Sequence, residues 1–259
     1  MISRVSKSEK WALYGDADAQ TLVCGHSHAA AILFAQLNSD TGSPHPDVAV
    51  CYTSDFNQGP PADQEYWEFV AELARGKQLA IVWNGNQHNA NFLFQTMPPF
   101  TLIGATKSDS DQNHIPIPRR MIKEFFKPFF EELSEIIKLM AGASSITLVN
   151  GPAPKPLTHI KTRVKDEPFF TAIADSLQIN IDTLKITSDS LRLELWKLIS
   201  EMLASYAYSL GASFLDAPIE SLDSSGMLLE KYWTPDTTHA NESYGSLLME
   251  KIIHSTEKV

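Results

Sequence analysis

A chain of 259 residues with 43% hydrophobic and 20% charged residues has the composition of an ordinary globular protein, long enough to bury a sizeable core. Its net charge of −10 argues against nucleic acid or an anionic membrane surface as the main partner. Its two cysteines, Cys24 and Cys51, are too few for a disulfide framework and read as small buried apolar residues.

Residues 1–20 carry no apolar h-region, and nowhere do about 18 apolar residues run together. The expectation is therefore a cytoplasmic protein without a membrane span. Strand-like and helix-like segments alternate along the chain, which predicts a five-stranded parallel sheet covered by helices on both faces. The strands fall at residues 21–24, 47–52, 78–83, 145–150 and 213–216, with no composition shift to divide residues 1–259 into more than one domain.

Helices are predicted over 27–37, 62–76, 119–140, 167–177, 188–210 and 242–253, with a brief one near 89–95. The helix over 119–140 has the widest apolar face, and Pro128 should kink it. The proline- and Ser/Asp-rich stretch 96–118 is too long for an ordinary connector and reads as a lid or a poorly ordered excursion. Residues 155–165 contain Lys155, His159, Lys161, Arg163 and Lys165. They read as a solvated basic loop, with an anionic-substrate clamp as the sharper alternative.

Loops at the carboxyl ends of parallel strands share one rim of the sheet, where ligand sites gather. Gly25-His26-Ser27-His28 follows the first strand, Gly59 the second and Gly85-Asn86-Gln87-His88 the third; Asp236-Thr237-Thr238-His239 follows the last. Ser27 sits where strand becomes helix, and the plainest role for Ser there is a helix cap. The rest of the rim supports another role. Acyl transfer needs a hydroxyl, a base, an orienter for that base, and oxyanion donors. Ser27 supplies the hydroxyl, His239 the base and Asp236 the orienter. The Ser27 and Gly59 amides with the Asn86 side chain supply the oxyanion donors, and Asn57 is an alternative donor in the Gly59 loop.

These residues resemble the SGNH (GDSL-like) hydrolases. That family carries Gly-x-Ser after the first strand, an isolated Gly after the second, Gly-x-Asn or Gly-Asn after the third, and Asp-x-x-His near the C-terminus. Here the counterparts are Gly25-His26-Ser27, Gly59, Gly85-Asn86 and Asp236–His239, in that order, and the resemblance extends from residue 22 to about 250. It implies a flavodoxin-like three-layer α/β/α sandwich. It also implies Ser27 as nucleophile, Asp236 and His239 as its partners, and Ser27, Gly59 and Asn86 as the oxyanion hole. One position departs: the residue before the nucleophile is usually Asp in the family and is His26 here. The family's Asp mostly organises the turn, so the change bears on local hydrogen bonding more than on chemistry.

The resulting expectation is a serine-dependent esterase cleaving a small acyl ester, such as an O-acetyl group on a carbohydrate, with no cofactor or metal. His26, His28 and His88 lie near one rim, but no carboxylate or thiolate joins them at metal-ligand spacing. Substrate contact is the role expected of His28 and His88. Two alternatives share the fold: an O-acyltransferase using the same acyl-serine, and a non-catalytic protein that binds a carbohydrate or a partner.

Overall fold

In the computed structural model the described residues are 4–5, 10–38, 45–53, 63–83, 87–95, 98–104, 113–176, 178, 180–183 and 185–256. The chain begins with β1 (Arg4–Val5) and β2 (Trp11–Tyr14), to which the sequence pattern assigned no strand. β2 is buried at every position, so it lacks the alternation that marks a half-exposed strand. Then come β3 (Thr21–Gly25), a short 3₁₀ turn over Ser27–Ala29, α1 (Ala30–Leu37), β4 (Val48–Thr53), α2 (Gln64–Leu73), β5 (Gln78–Val82) and α3 (Gln87–Phe92). β6 (Phe100–Leu102) and β7 (Ile115–Ile117) precede α4 (Arg119–Leu139), which runs through Pro128. β8 (Ser145–Val149), α5 (Leu157–Arg163), α6 (Pro168–Ser176), α7 (Asp189–Ser209), β9 (Ser213–Leu215) and α8 (Glu242–Thr256) complete the order.

The main sheet runs β1-β2-β4-β3-β5-β8-β9. Its last five strands are the five expected from sequence. They pair in parallel throughout, in the 2-1-3-4-5 order of flavodoxin-like folds. The expectation of a purely parallel five-stranded sheet is corrected at one edge. There β2 pairs antiparallel with β4, and β1 antiparallel with β2, which makes the described sheet seven-stranded and mixed.

Successive strand residues point to opposite faces, so each strand feeds two cores. Leu22, Cys24, Cys51, Leu79, Ile81 and Leu148 pack with α2, α4 and α7. Val23, Val50, Ala80, Val82 and Val149 pack with α1 and α8. The result is a three-layer α/β/α arrangement. Both cysteines are free and buried.

Two further expectations change. Within 96–118, where a lid or a poorly ordered excursion is expected, the described residues include two strands, β6 and β7, that pair in parallel. The basic stretch is helical over Leu157–Arg163, because Ile160 and Val164 bury one stripe while Lys161 and Lys165 face outward.

On the α1/α8 side, the layers are held at backbone distance. A Cβ at Gly245 would collide with the Ala31 carbonyl oxygen, so α8 can lie on α1 only with glycine there. The contact matters because α1 continues from the Ser27 turn and α8 from the His239 turn. Gly245→Ala is expected to cost about 1–3 kcal/mol through overpacking. The check is a lowered urea midpoint with unchanged slope.

Candidate active site

At the end of β3, Gly25 has φ +142°, and a Cβ there would strike the Val82 carbonyl oxygen of β5. Only glycine lets the strand turn so close to its neighbour. The turn is tied down by Tyr66 from α2. Its hydroxyl accepts the Gly25 amide at 3.2 Å and lies 3.2 Å from Gly25 O and 3.1 Å from Cys51 O. Burial raises the Tyr66 pKa well above its usual value, so the hydroxyl keeps the proton it donates. Tyr66→Phe leaves buried carbonyls without that donor and is expected to cost about 1–3 kcal/mol, read as a fall in the denaturation midpoint.

His26 does not organise the turn as a carboxylate would. It makes no side-chain cap bond, and its ring lies 4.7 Å from that of Trp83 and 5.8 Å, edge-on, from Trp67. Burial lowers its pKa to about 4, so the imidazole is neutral at pH 7. Hydrogen bonding of the turn therefore passes from residue 26 to Tyr66.

Ser27 opens the 3₁₀ turn, and its hydroxyl makes no cap bond and no other hydrogen bond among the described residues. Its side chain is half-buried. The next residue, His28, is 6% exposed, and its ring centroid lies 5.0 Å from that of His239. His28 thus forms a wall beside the second imidazole.

The second turn is shaped by its own sequence. Asp236 Oδ1 accepts the amides of Thr238 at 2.8 Å and His239 at 2.7 Å, the local bonding that makes Asp a turn former. Its other oxygen, Oδ2, lies 2.9 Å from His239 Nδ1. The Thr234 hydroxyl donates to His239 O at 2.7 Å, a Trp233–Ala240 bridge closes the loop, and Asn241 caps α8 through the Ser243 and Tyr244 amides.

Burial opposes the charge on Asp236. The hydrogen bond and charge of His239, with Lys155 behind, nevertheless hold its pKa well below the usual carboxylate range. An ionised Asp236 can only accept, so His239 Nδ1 is the donor in this bond, and the neutral form of the ring has its lone pair on Nε2. Nε2 is buried and makes no hydrogen bond among the described residues. Between Ser27 Oγ and His239 there is no hydrogen bond in this structure; catalytic contacts of this kind often tighten only with substrate.

A layer that the sequence reading missed stands behind this pair. Lys155 Nζ, fully buried, donates to Asp236 O at 2.6 Å, Thr234 O at 2.9 Å and Thr234 Oγ1 at 3.1 Å, and lies 3.4 Å from Asp236 Oδ1. His159 Nε2 reaches the same Asp236 carbonyl at 2.9 Å. Glu167 accepts the Thr237 amide at 2.7 Å and its hydroxyl at 3.1 Å. Arg192, buried on α7, donates to Lys155 O at 3.0 Å and pairs with Asp189. Lys155 and His159, which the sequence places in a solvated loop, are instead the brace of the Asp236 turn. The Leu157, Ile160, Val164 spacing was the available sign that this stretch folds back as a helix.

Gly59, Asn57, Gly85 and Asn86 lie outside the described residues. His88 falls on α3, with its side chain outside them. Among the described residues no three His, Cys, Asp or Glu side chains gather as a metal would require, and no helix is long and apolar enough to cross a membrane.

No family model matches the chain, and no curated protein matches it. Among solved structures, one of an inferred acylhydrolase from Bacteroides fragilis aligns at 14% identity and TM-score 0.46, over 93% of this chain and 88% of the other. The periplasmic domain of a lipopolysaccharide acetyltransferase from Salmonella ser. Paratyphi A aligns at 12% identity and TM-score 0.49, over 93% and 85%. Likenesses this distant carry no functional argument, which rests on the residues.

Proposed function

We propose that this chain is a serine-dependent esterase of the SGNH type that cleaves a small acyl ester, such as an O-acetyl group on a carbohydrate, through acyl-Ser27. The observation that carries the reading is His239: its Nδ1 is engaged by Asp236, its buried Nε2 has no hydrogen-bond partner among the described residues, and its ring lies against the residue that follows Ser27.

Ser27 Oγ attacks the ester carbonyl carbon while its proton passes to His239 Nε2. Asp236 stabilises the resulting imidazolium without taking its proton. The Ser27 and Gly59 amides and the Asn86 side chain hold the negative oxygen of the tetrahedral intermediate. Collapse breaks the bond to the alkoxide, which leaves as the alcohol with the proton from His239. Water then repeats the sequence on acyl-Ser27, giving the carboxylic acid and the free serine. An acceptor hydroxyl in place of that water would make the same chemistry a transfer. Product analysis with added acceptor alcohols distinguishes the two outcomes.

The direct test is labelling of the native protein with a fluorophosphonate, which reacts only with an activated hydroxyl. Modification is expected on Ser27, and His239→Ala should suppress it. A folded protein that resists the probe, or takes it up elsewhere, would favour the non-catalytic alternative.

A further inference from the structure

A concavity lies on the far side of α5 from the Asp236 turn. Leu157 and Lys161 are four residues apart and share one face of α5; His159, about 200° round the helix, faces the Asp236 carbonyl. The cleft has a volume of about 370 Å³, the size of a small-ligand site. Its walls come from separate, fixed pieces of chain. The segments around Phe94 and Ile186 are joined by an antiparallel bridge, with backbone bonds from Gln95 N to Lys185 O at 2.8 Å and from Thr187 N to Leu93 O at 2.8 Å. Opposite them stand α5 and the start of α7, and the Gln95 amide donates to His114 Nε2 at 3.1 Å.

Its polar lining is unbalanced. Lys161 and Lys185 both border the cleft, and neither ammonium group makes a hydrogen bond or ion pair among the described residues, although the chain as a whole carries a net charge of −10. The nearby carboxylate of Asp189 is already occupied by Arg192 and by the Leu157 amide at 2.8 Å. Thr187 is 5% exposed, and its hydroxyl also makes no hydrogen bond among the described residues. Two unpaired ammonium groups, a buried hydroxyl and an apolar floor that includes Leu157 are complementary to an anion attached to an apolar body.

We propose that this cleft binds a small ligand carrying a phosphate or carboxylate group beside an apolar ring or chain. The proposal is independent of the chemistry assigned to Ser27. It also gives the basic stretch part of the anion-binding role weighed from sequence, with Lys161 as the residue that faces the ligand.

Titration calorimetry on the full chain, with phenyl phosphate in one arm and benzoate in the other, tests it; the tighter arm identifies the anion. Saturable binding is expected, weakened about tenfold or more by the double substitution Lys161→Gln with Lys185→Gln. Thr187→Val, which keeps the side-chain shape, should weaken it about fivefold. A double substitution of Lys123→Gln with Lys127→Gln on α4 makes the same change in net charge and should leave binding intact, as should Ser27→Ala. No saturable binding of either anion, equal weakening by the α4 pair, or loss of binding in Ser27→Ala would overturn the site.

Discussion

Purified Ser27→Ala protein is expected to turn over a short-chain aryl ester on the order of 10⁶-fold more slowly than the parent, with an unchanged urea midpoint. The two halves of that expectation rest on different physics. Without the hydroxyl there is nothing to carry the acyl group, and the residual rate comes only from binding and from the oxyanion donors. Stability should hold because Ser27 Oγ satisfies no partner: it caps no helix and makes no hydrogen bond among the described residues. Removing it orphans no buried group. Kinetics and denaturation on one preparation check both halves. Parent-like turnover by the folded variant would end the acyl-serine reading, and a large loss of stability would return Ser27 to a structural role.

The parts of this molecule visible in the sequence are those where local pattern and final environment agree. Runs such as Leu79–Val82 are buried on both faces and bounded by turn residues, so they read as parallel strands without tertiary information. Asp236 and His239 are equally legible because their relation is local: three residues apart, the carboxylate orders the turn and then holds the ring. What escaped the sequence depends on contacts far along the chain. Trp11–Tyr14 becomes a strand because β4 offers it an edge, and four apolar residues announce no partner. Tyr66 looks like one more residue on the apolar face of α2, yet its hydroxyl ties β3 to β4 from 41 positions beyond Gly25. Lys155 stands between two prolines in a basic stretch, where a lysine is ordinarily solvated. Its acceptors are about 80 residues away in the chain, at Thr234 and Asp236.

That lysine carries the second large expectation. Burial pulls its pKa from 10.5 down to about 8, against the attraction of Asp236 and Glu167. The charged ammonium is therefore held where desolvation works against it, and its contribution lies in placing the Asp236 turn more than in net stability. Lys155→Met keeps most of the side-chain volume and removes the donors. It is expected to cost about 1–3 kcal/mol, chiefly from the Thr234 carbonyl left without its lysine donor. The larger effect should fall on esterase turnover, reduced about 10²-fold by a slightly misplaced Asp236 and imidazole. The pH dependence separates this from simple destabilisation. Between about pH 8 and 10.5 the unfolded chain holds the Lys155 proton and the folded chain does not, so this group makes stability rise with pH across that window and adds no slope below it. Over the lower part of the same window the ammonium charge behind Asp236 disappears, so turnover should fall while stability rises. In Lys155→Met both trends should be absent. A variant that retains the alkaline decline would show that the decline belongs to another group and that Lys155 does not set the position of the Asp236 turn through its charge.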